Sequence, residues 1–205
     1  MIKLFLLPLF SLFLIAGAHA EMPESFKTRG KAHIVELTNE ANAGNAEAQA
    51  DLASIYLFGT LNIAEVDLEK AIFWGLKAAN QGHVRAQSLL GIAYYDERNF
   101  VEAFYWNSRA AAKGYESAQL SLGLMYKEGR GVKVDYVKAR EWFKKSAAQG
   151  NDLAQLELGH FYALGRGVRQ NLTTAKEWFG QACDNGNQDG CDIYRMMNES
   201  KSQSQ

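Results

Sequence analysis

The sequence predicts an all-α solenoid, a stack of helix-turn-helix repeats, and three observations carry that expectation. A glycine closes an alanine-rich stretch five times, at Gly44, Gly82, Gly114, Gly150 and Gly186, with gaps of 38, 32, 36 and 36 residues. After each of the first four, Ala-Gln falls at the fourth and fifth places (Ala48-Gln49, Ala86-Gln87, Ala118-Gln119, Ala154-Gln155). Leucine follows at the eighth (Leu52, Leu90, Leu122, Leu158), a small residue at the ninth (Ala53, Gly91, Gly123, Gly159) and tyrosine at the twelfth (Tyr56, Tyr94, Tyr126, Tyr162). Trp74, Trp106, Trp142 and Trp178 each stand eight places before the next glycine. Self-similarity at this period marks repeat architectures. The only prolines are Pro8 and Pro23, so the repeats contain no helix breaker of that kind.

Each repeat reads as two helices. Offsets of four, eight, nine and twelve keep Ala, Leu, the small residue and Tyr on one face at 3.6 residues per turn. A second helix starts after a polar residue fifteen places before the next glycine, at Asp67, Asn99, Asp135 and Asn171. Such side chains accept bonds from the free N–H groups of a first turn. Alanine follows four places later (Ala71, Ala103, Ala139, Ala175), then the tryptophan, and the closing glycine suits a left-handed C-cap. A mid-helix glycine costs about 1 kcal/mol relative to alanine. Its recurrence at the ninth place therefore predicts close approach, with the Trp and Tyr rings packed over bare backbone and the four tryptophans in the core.

The ends differ. Lys3, an apolar run from Leu4 to Ala16 and then Ala18-His19-Ala20 predict a cleaved signal peptide over 1–20. Residues 21–43 are expected to form a capping helix, and the repeats to span 44–81, 82–113, 114–149 and 150–186. Residues 187–198 would be a capping half-repeat, and the polar stretch 199–205 a disordered tail. The formal charge is -1 for the whole chain. Removing Lys3 with the leader leaves a small negative charge, which argues against nucleic acid or an anionic membrane surface as the main partner.

The third and fourth repeats resemble the Sel-one-like repeats, relatives of the tetratricopeptide repeats. The resemblance rests on Ala154-Gln155, Leu158-Gly159, Tyr162, Gly165-Arg166-Gly167-Val168, Asn171, Ala175 and Trp178-Phe179. Gly129-Arg130-Gly131-Val132, Lys138-Ala139, Trp142-Phe143 and Ala147-Ala148 repeat the pattern. Repeat two has only Asp96-Glu97-Arg98 at the Gly-x-Gly-Val element, and repeat one has Gly59-Thr60-Leu61-Asn62-Ile63. The resemblance implies a right-handed, tetratricopeptide-like α/α superhelix with adaptor roles, whose first helices line a concave groove. Groove positions outside the recurring core set are Arg85, Ser88, Ile92, Tyr95, Leu120, Leu124, Lys127, Leu156 and His160. Their mix of apolar groups and cations suits a protein segment or a cell-envelope component. The alternative for Leu120, Leu124 and Leu156 is packing between neighbouring repeats.

Catalytic and metal motifs are not evident. Gly129-Arg130-Gly131 and Gly165-Arg166-Gly167 lack the further residues of a phosphate loop and read as turns. His33, His83 and His160 are dispersed, so no metal and no cofactor is expected. Some secreted relatives are described as β-lactamase-like, and a peptidoglycan- or β-lactam-interacting protein is the alternative to a scaffold. However, no serine here has a lysine three places later, and Lys27-Thr28 is followed by Arg29 rather than Gly. Cys183 stands in the register of Ala147 and Cys191 in that of Gln155, facing one another across a turn. With an exported chain and an even cysteine count, a disulfide between them is expected, free buried thiols being the alternative.

Overall fold

The computed structural model describes residues 24–60 and 64–202. The expected signal peptide, 1–20, lies outside the described residues, as do Leu61 to Ile63 of the first repeat's insertion. Among the described residues ten helices follow one another: α1 (Glu24–Asn42), α2 (Ala46–Phe58), α3 (Leu68–Asn80), α4 (Val84–Asp96) and α5 (Phe100–Ala112), then α6 (Glu116–Glu128), α7 (Tyr136–Ala147), α8 (Asp152–Leu164), α9 (Leu172–Asp184) and α10 (Gln188–Ser202). Among the described residues the β contacts are confined to an isolated bridge between Thr60 and Ala64. Each helix packs on the next, and α2 with α4 and α4 with α6 also touch. The four hairpins therefore stack side by side as the solenoid that the repeat predicts.

Local chemistry sets the helix ends. Asp67, Asn99, Asp135 and Asn171 accept from the backbone N–H groups of Lys70, Glu102, Lys138 and Thr174, as the spacing predicts. The five closing glycines have φ between +85° and +98°, a region that L side chains avoid. The residue after each of the first four glycines is the N-cap of a first helix. Asn45, His83 and Asn151 cap with their side chains, whereas Tyr115 makes no such bond.

The recurring glutamine is a structural clamp. Gln49, Gln87, Gln119 and Gln155 are buried. Their Nε2 groups donate to the carbonyls of Ala41, Ala79, Ala111 and Ala147, each eight residues back at the end of the preceding helix. Those carbonyls belong to a helix's last turn, and each also accepts from the N–H of the closing glycine. The Oε1 atoms of Gln49, Gln119 and Gln155 accept in turn from Gln81, Gln149 and Asn185. Repeat two breaks the scheme: Lys113 stands in that register and donates to Gly82 O instead, leaving Gln87 Oε1 without a partner.

The core corrects one expectation. Trp74 and Trp106 are buried, but Trp142 and Trp178 are only partly so. The sealed centre of the last two repeats is taken by the next residue, Phe143 at 0% exposed and Phe179 at 2%. These rings, not Trp or Tyr, fill the space above Gly123 and Gly159, where an added Cβ would overlap them. In repeat two the Asn107 amide occupies that place over Gly91. In repeat one the small residue is on the second helix: Gly75 receives Leu90 of the following repeat. Large against small is retained at every level, with the partner changing as the second-helix residue changes.

The last half-repeat is held covalently. Cys183 and Cys191 form a disulfide with Cα atoms 4.4 Å apart. Gly190 permits that approach, since a Cβ there would stand 2.8 Å from the Ala182 methyl. At the ninth place α10 carries Arg195 where the earlier repeats have Ala53, Gly91, Gly123 and Gly159. The helix runs through Ser202, past position 199 where composition places the start of a disordered tail. Extending a helix already nucleated adds one bond per residue fixed, which polar residues can sustain without packing. Residues 203–205 lie outside the described residues.

Candidate binding face of the first helices

Places three, seven, ten and fourteen after each glycine share one side of a first helix at 100° per residue. On that side the third place is exposed at Glu47, Ser117 and Leu153, and the fourteenth at Phe58, Asp96, Glu128 and Leu164. A continuous strip of side chains thus crosses α2, α4, α6 and α8.

Successive repeats are bridged along this strip. Arg85 on α4 donates to Glu47 at 3.0 Å and to Asp51 at 2.5 Å, both on α2. Lys127 on α6 pairs with Glu157 on α8 at 2.5 Å, both about one-fifth exposed. Tyr95 on α4 donates to Glu128 at 3.4 Å and accepts from Arg130. The caps join in: His83 bonds Glu47, Asn151 bonds Glu116 and Asn187 bonds Asp152, each across one repeat. His83 Nδ1 accepts from Ala86 N–H, so the ring proton sits on Nε2 and is donated to Glu47. That bond from His83, with the nearby Arg85 charge, holds the Glu47 carboxyl below its ordinary value.

The expected groove residues do not share one setting. Arg85, Tyr95 and Lys127 lie on the strip or at its border and are engaged in the bridges just described. His160 lies edge-on to Phe179, ring centroids 5.2 Å apart. Leu120 and Leu124 pack against the cluster around Phe143 and Leu158, and Ile92 against that around Leu52 and Trp74. Leu120 and Leu124 are thus partly buried against that core, while Leu156 is partly buried and belongs to none of the buried clusters. Ser88 is a correction: it is 3% exposed and faces no partner. Place six lies about 70° from the middle of the open side, and at Ser88 it is covered. Asp51, Leu153, Glu157 and Leu164 were missed, although their helical register shows them on the open side.

The strip can hold a partner by side-chain contact. Among the described residues no group of three or more His, Cys, Asp or Glu is placed to hold a metal ion. An open cleft of 460 Å³ lies apart from the strip, between α1 and the turn of repeat one, lined by Lys31, Ile34, Tyr56, Val66 and Lys70 among others. Asp67 and Lys70 beside it bond to one another at 2.8 Å.

Comparison with known proteins adds identity to this geometry. The family model of the Sel1 repeat matches residues 46–83, 84–115, 116–151 and 152–187. These limits lie one or two residues beyond those anchored on the glycines. No curated protein matches the sequence. Among solved structures, c5321 of uropathogenic Escherichia coli, described as a protective antigen with an SLR fold, is similar at 36% identity and TM-score 0.73. That match covers 80% of this chain and 36% of the antigen. A Sel1 repeat protein of Oxalobacter formigenes matches at 30% identity and TM-score 0.72, over 80% of this chain and 66% of that one. Cysteine rich protein B of Helicobacter pylori matches at 28% identity and TM-score 0.52, over 66% of this chain and 98% of that one. The chain thus spans about a third of the first relative and under two thirds of the second.

Proposed function

The chain belongs to the Sel1 repeat family, and on that premise we propose that it is an exported binding scaffold which holds a protein segment or envelope component on its first-helix face. Proteins of this family are helical repeat scaffolds that generally mediate protein–protein interaction. One observation carries the proposal: bridges such as Arg85 with Glu47 and Asp51, and Lys127 with Glu157, join successive first helices into one pre-positioned surface. A surface held in its bound geometry loses little entropy when a partner docks. Exposed Leu153, Leu164 and Phe58 supply apolar anchors along it.

Export is part of the same proposal. The Cys183–Cys191 bridge supports an oxidising compartment such as the periplasm. Among the described residues no helix is long and apolar enough to cross a membrane. The protective-antigen description of the E. coli relative also fits an exported chain. On this reading the chain binds rather than catalyses.

The test is capture from an envelope extract on the immobilised protein and on a Leu153→Asp, Leu164→Asp variant. Retention by the parent and loss by the variant is the expected result. Equal retention by both sinks the face assignment. Sustained hydrolysis of a chromogenic β-lactam by the pure protein would overturn the scaffold reading.

A further inference from the structure

The turns joining first to second helices lie along one edge of the array. Those of repeats three and four rest on the start of the preceding second helix, Gly131 on Phe100 and Gly167 on Tyr136, with no room there for a Cβ. This edge adjoins the first-helix strip and shares its fourteenth-place residues Phe58, Asp96, Glu128 and Leu164. Of fourteen large apolar side chains exposed among the described residues, eight stand on it. They run from Phe58 and Val66 in repeat one, through Val101, to Val134, Leu164 and Leu172 in repeats three and four. Apolar exposure concentrated in this way marks an interaction surface.

Charge divides the edge in two. In repeats one and two, residues 58–70 and 96–102 hold six carboxylates against two cations. In repeats three and four, residues 128–138 and 164–174 hold five cations against two carboxylates. The pairs Lys70–Asp67, Arg130–Glu128 and Lys138–Asp135 are internal to one half, so they leave the imbalance intact. The surplus is Glu65, Glu69 and Glu97 among others at one end, and Lys133, Arg166 and Arg169 at the other. Burial, with Glu102 and Glu97 nearby, pushes the Tyr94 phenol up.

We infer that this edge pairs with a second copy of the chain, antiparallel about a two-fold axis, so that repeats one and two of each copy meet repeats three and four of the other. A two-fold interface must be self-complementary, and an edge acidic at one end and basic at the other satisfies that only when antiparallel. A partner of single charge sign meets repulsion along half the edge. The apolar side chains form the dry centre of the contact and the charges its rim. The surface needed is about 800 Å² from each copy for a stable pair.

Sedimentation equilibrium on the purified protein tests the pairing. At low ionic strength a monomer–dimer equilibrium is expected. It should weaken about tenfold or more as salt shortens the Debye length from about 30 Å to about 3 Å. Asp96→Lys with Glu97→Lys cancels the negative excess of the acidic end, and Lys133→Glu with Arg169→Glu removes the positive excess of the basic end. Each double variant alone is expected to stay monomeric with unchanged helicity, and an equimolar mixture is expected to recover the dimer. If a reversal disturbs folding, the salt dependence of the parent still decides. A parent that stays monomeric at micromolar concentration in low salt overturns the inference, as does a dimer that survives both reversals. So does a monomeric parent that pellets with phosphatidylglycerol vesicles and loses this in the Lys133→Glu, Arg169→Glu variant, since the edge would then serve an anionic lipid surface.

Discussion

The Cys183–Cys191 bridge occupies the place that a glutamine-to-alanine hydrogen bond fills in the four preceding repeats. Gln155 Nε2 donates to Ala147 O at 3.2 Å, eight residues back, and the disulfide spans the same eight-residue separation. The half-repeat α10 has a second helix on one side only, so the covalent link replaces a clamp where fraying is easiest. Changing Cys183→Ala with Cys191→Ala should cost about 2–3 kcal/mol in chain-entropy terms. Changing Cys183→Ala with Cys191→Gln should recover part of that loss by restoring the hydrogen bond. Urea melts of the two double variants check it, and identical midpoints would show that the clamp is not transferable.

The adjacent aromatics of repeat three should differ in weight. Phe143→Ala opens a cavity in a sealed site and should cost about 3–5 kcal/mol. Trp142→Ala removes a ring that is part-covered and backed by Lys145 at 4.0 Å, and should cost less. Equal destabilisation in denaturant would contradict the assignment of Phe143 as the central residue.

Repeat two offers a stabilising change. Lys113→Gln places an amide where Gln81 and Gln149 stand, within reach of the unpartnered Gln87 Oε1. A gain of about 0.5–1.5 kcal/mol is expected for one satisfied bond. Conversely, Gln155→Met leaves the Asn185 amide without this acceptor and removes one of the donors to Ala147 O, and should cost about 1–3 kcal/mol. Thermal unfolding with the opposite sign for either variant would dispose of the clamp.

Acid should loosen the junction of repeats one and two. Glu47 titrates below its ordinary value of 4.5, chiefly because His83 donates to it. Its stabilisation is therefore complete above that value and is lost as pH falls through the lowered one. Glu47 is well exposed, so the effect is small, and Glu47→Gln should flatten that part of the stability–pH curve. An unchanged slope in the variant would assign the acid sensitivity elsewhere.

The elements legible from sequence are those governed by local chemistry. Asp67 and Asn171 announce helix starts because a cap bonds residues three places away, and the period needs only counting. The prominence of Trp142 misleads, because Trp142 and Phe143 sit 100° apart on one helix and the angle at which α6 crosses decides which is sealed. Ser88 was misplaced for a related reason: whether place six faces a partner or the next hairpin depends on how closely repeats stack. The Ala-Gln pair was visible four times over, yet its role rests on a bond to a carbonyl eight residues back in another helix. A formal charge of -1 also conceals the division of the turn edge, since opposite excesses cancel in the total.

Arg195 bears on how such a chain can lengthen. A fifth second helix laid on α10 would need, at the ninth place, the small residue that admits Phe143 or Phe179 elsewhere, and would meet a guanidinium instead. Duplicated units can be inserted between existing glycines, where both neighbours already have matching surfaces. A hairpin laid on α10 would therefore meet a surface unlike those that join the existing repeats.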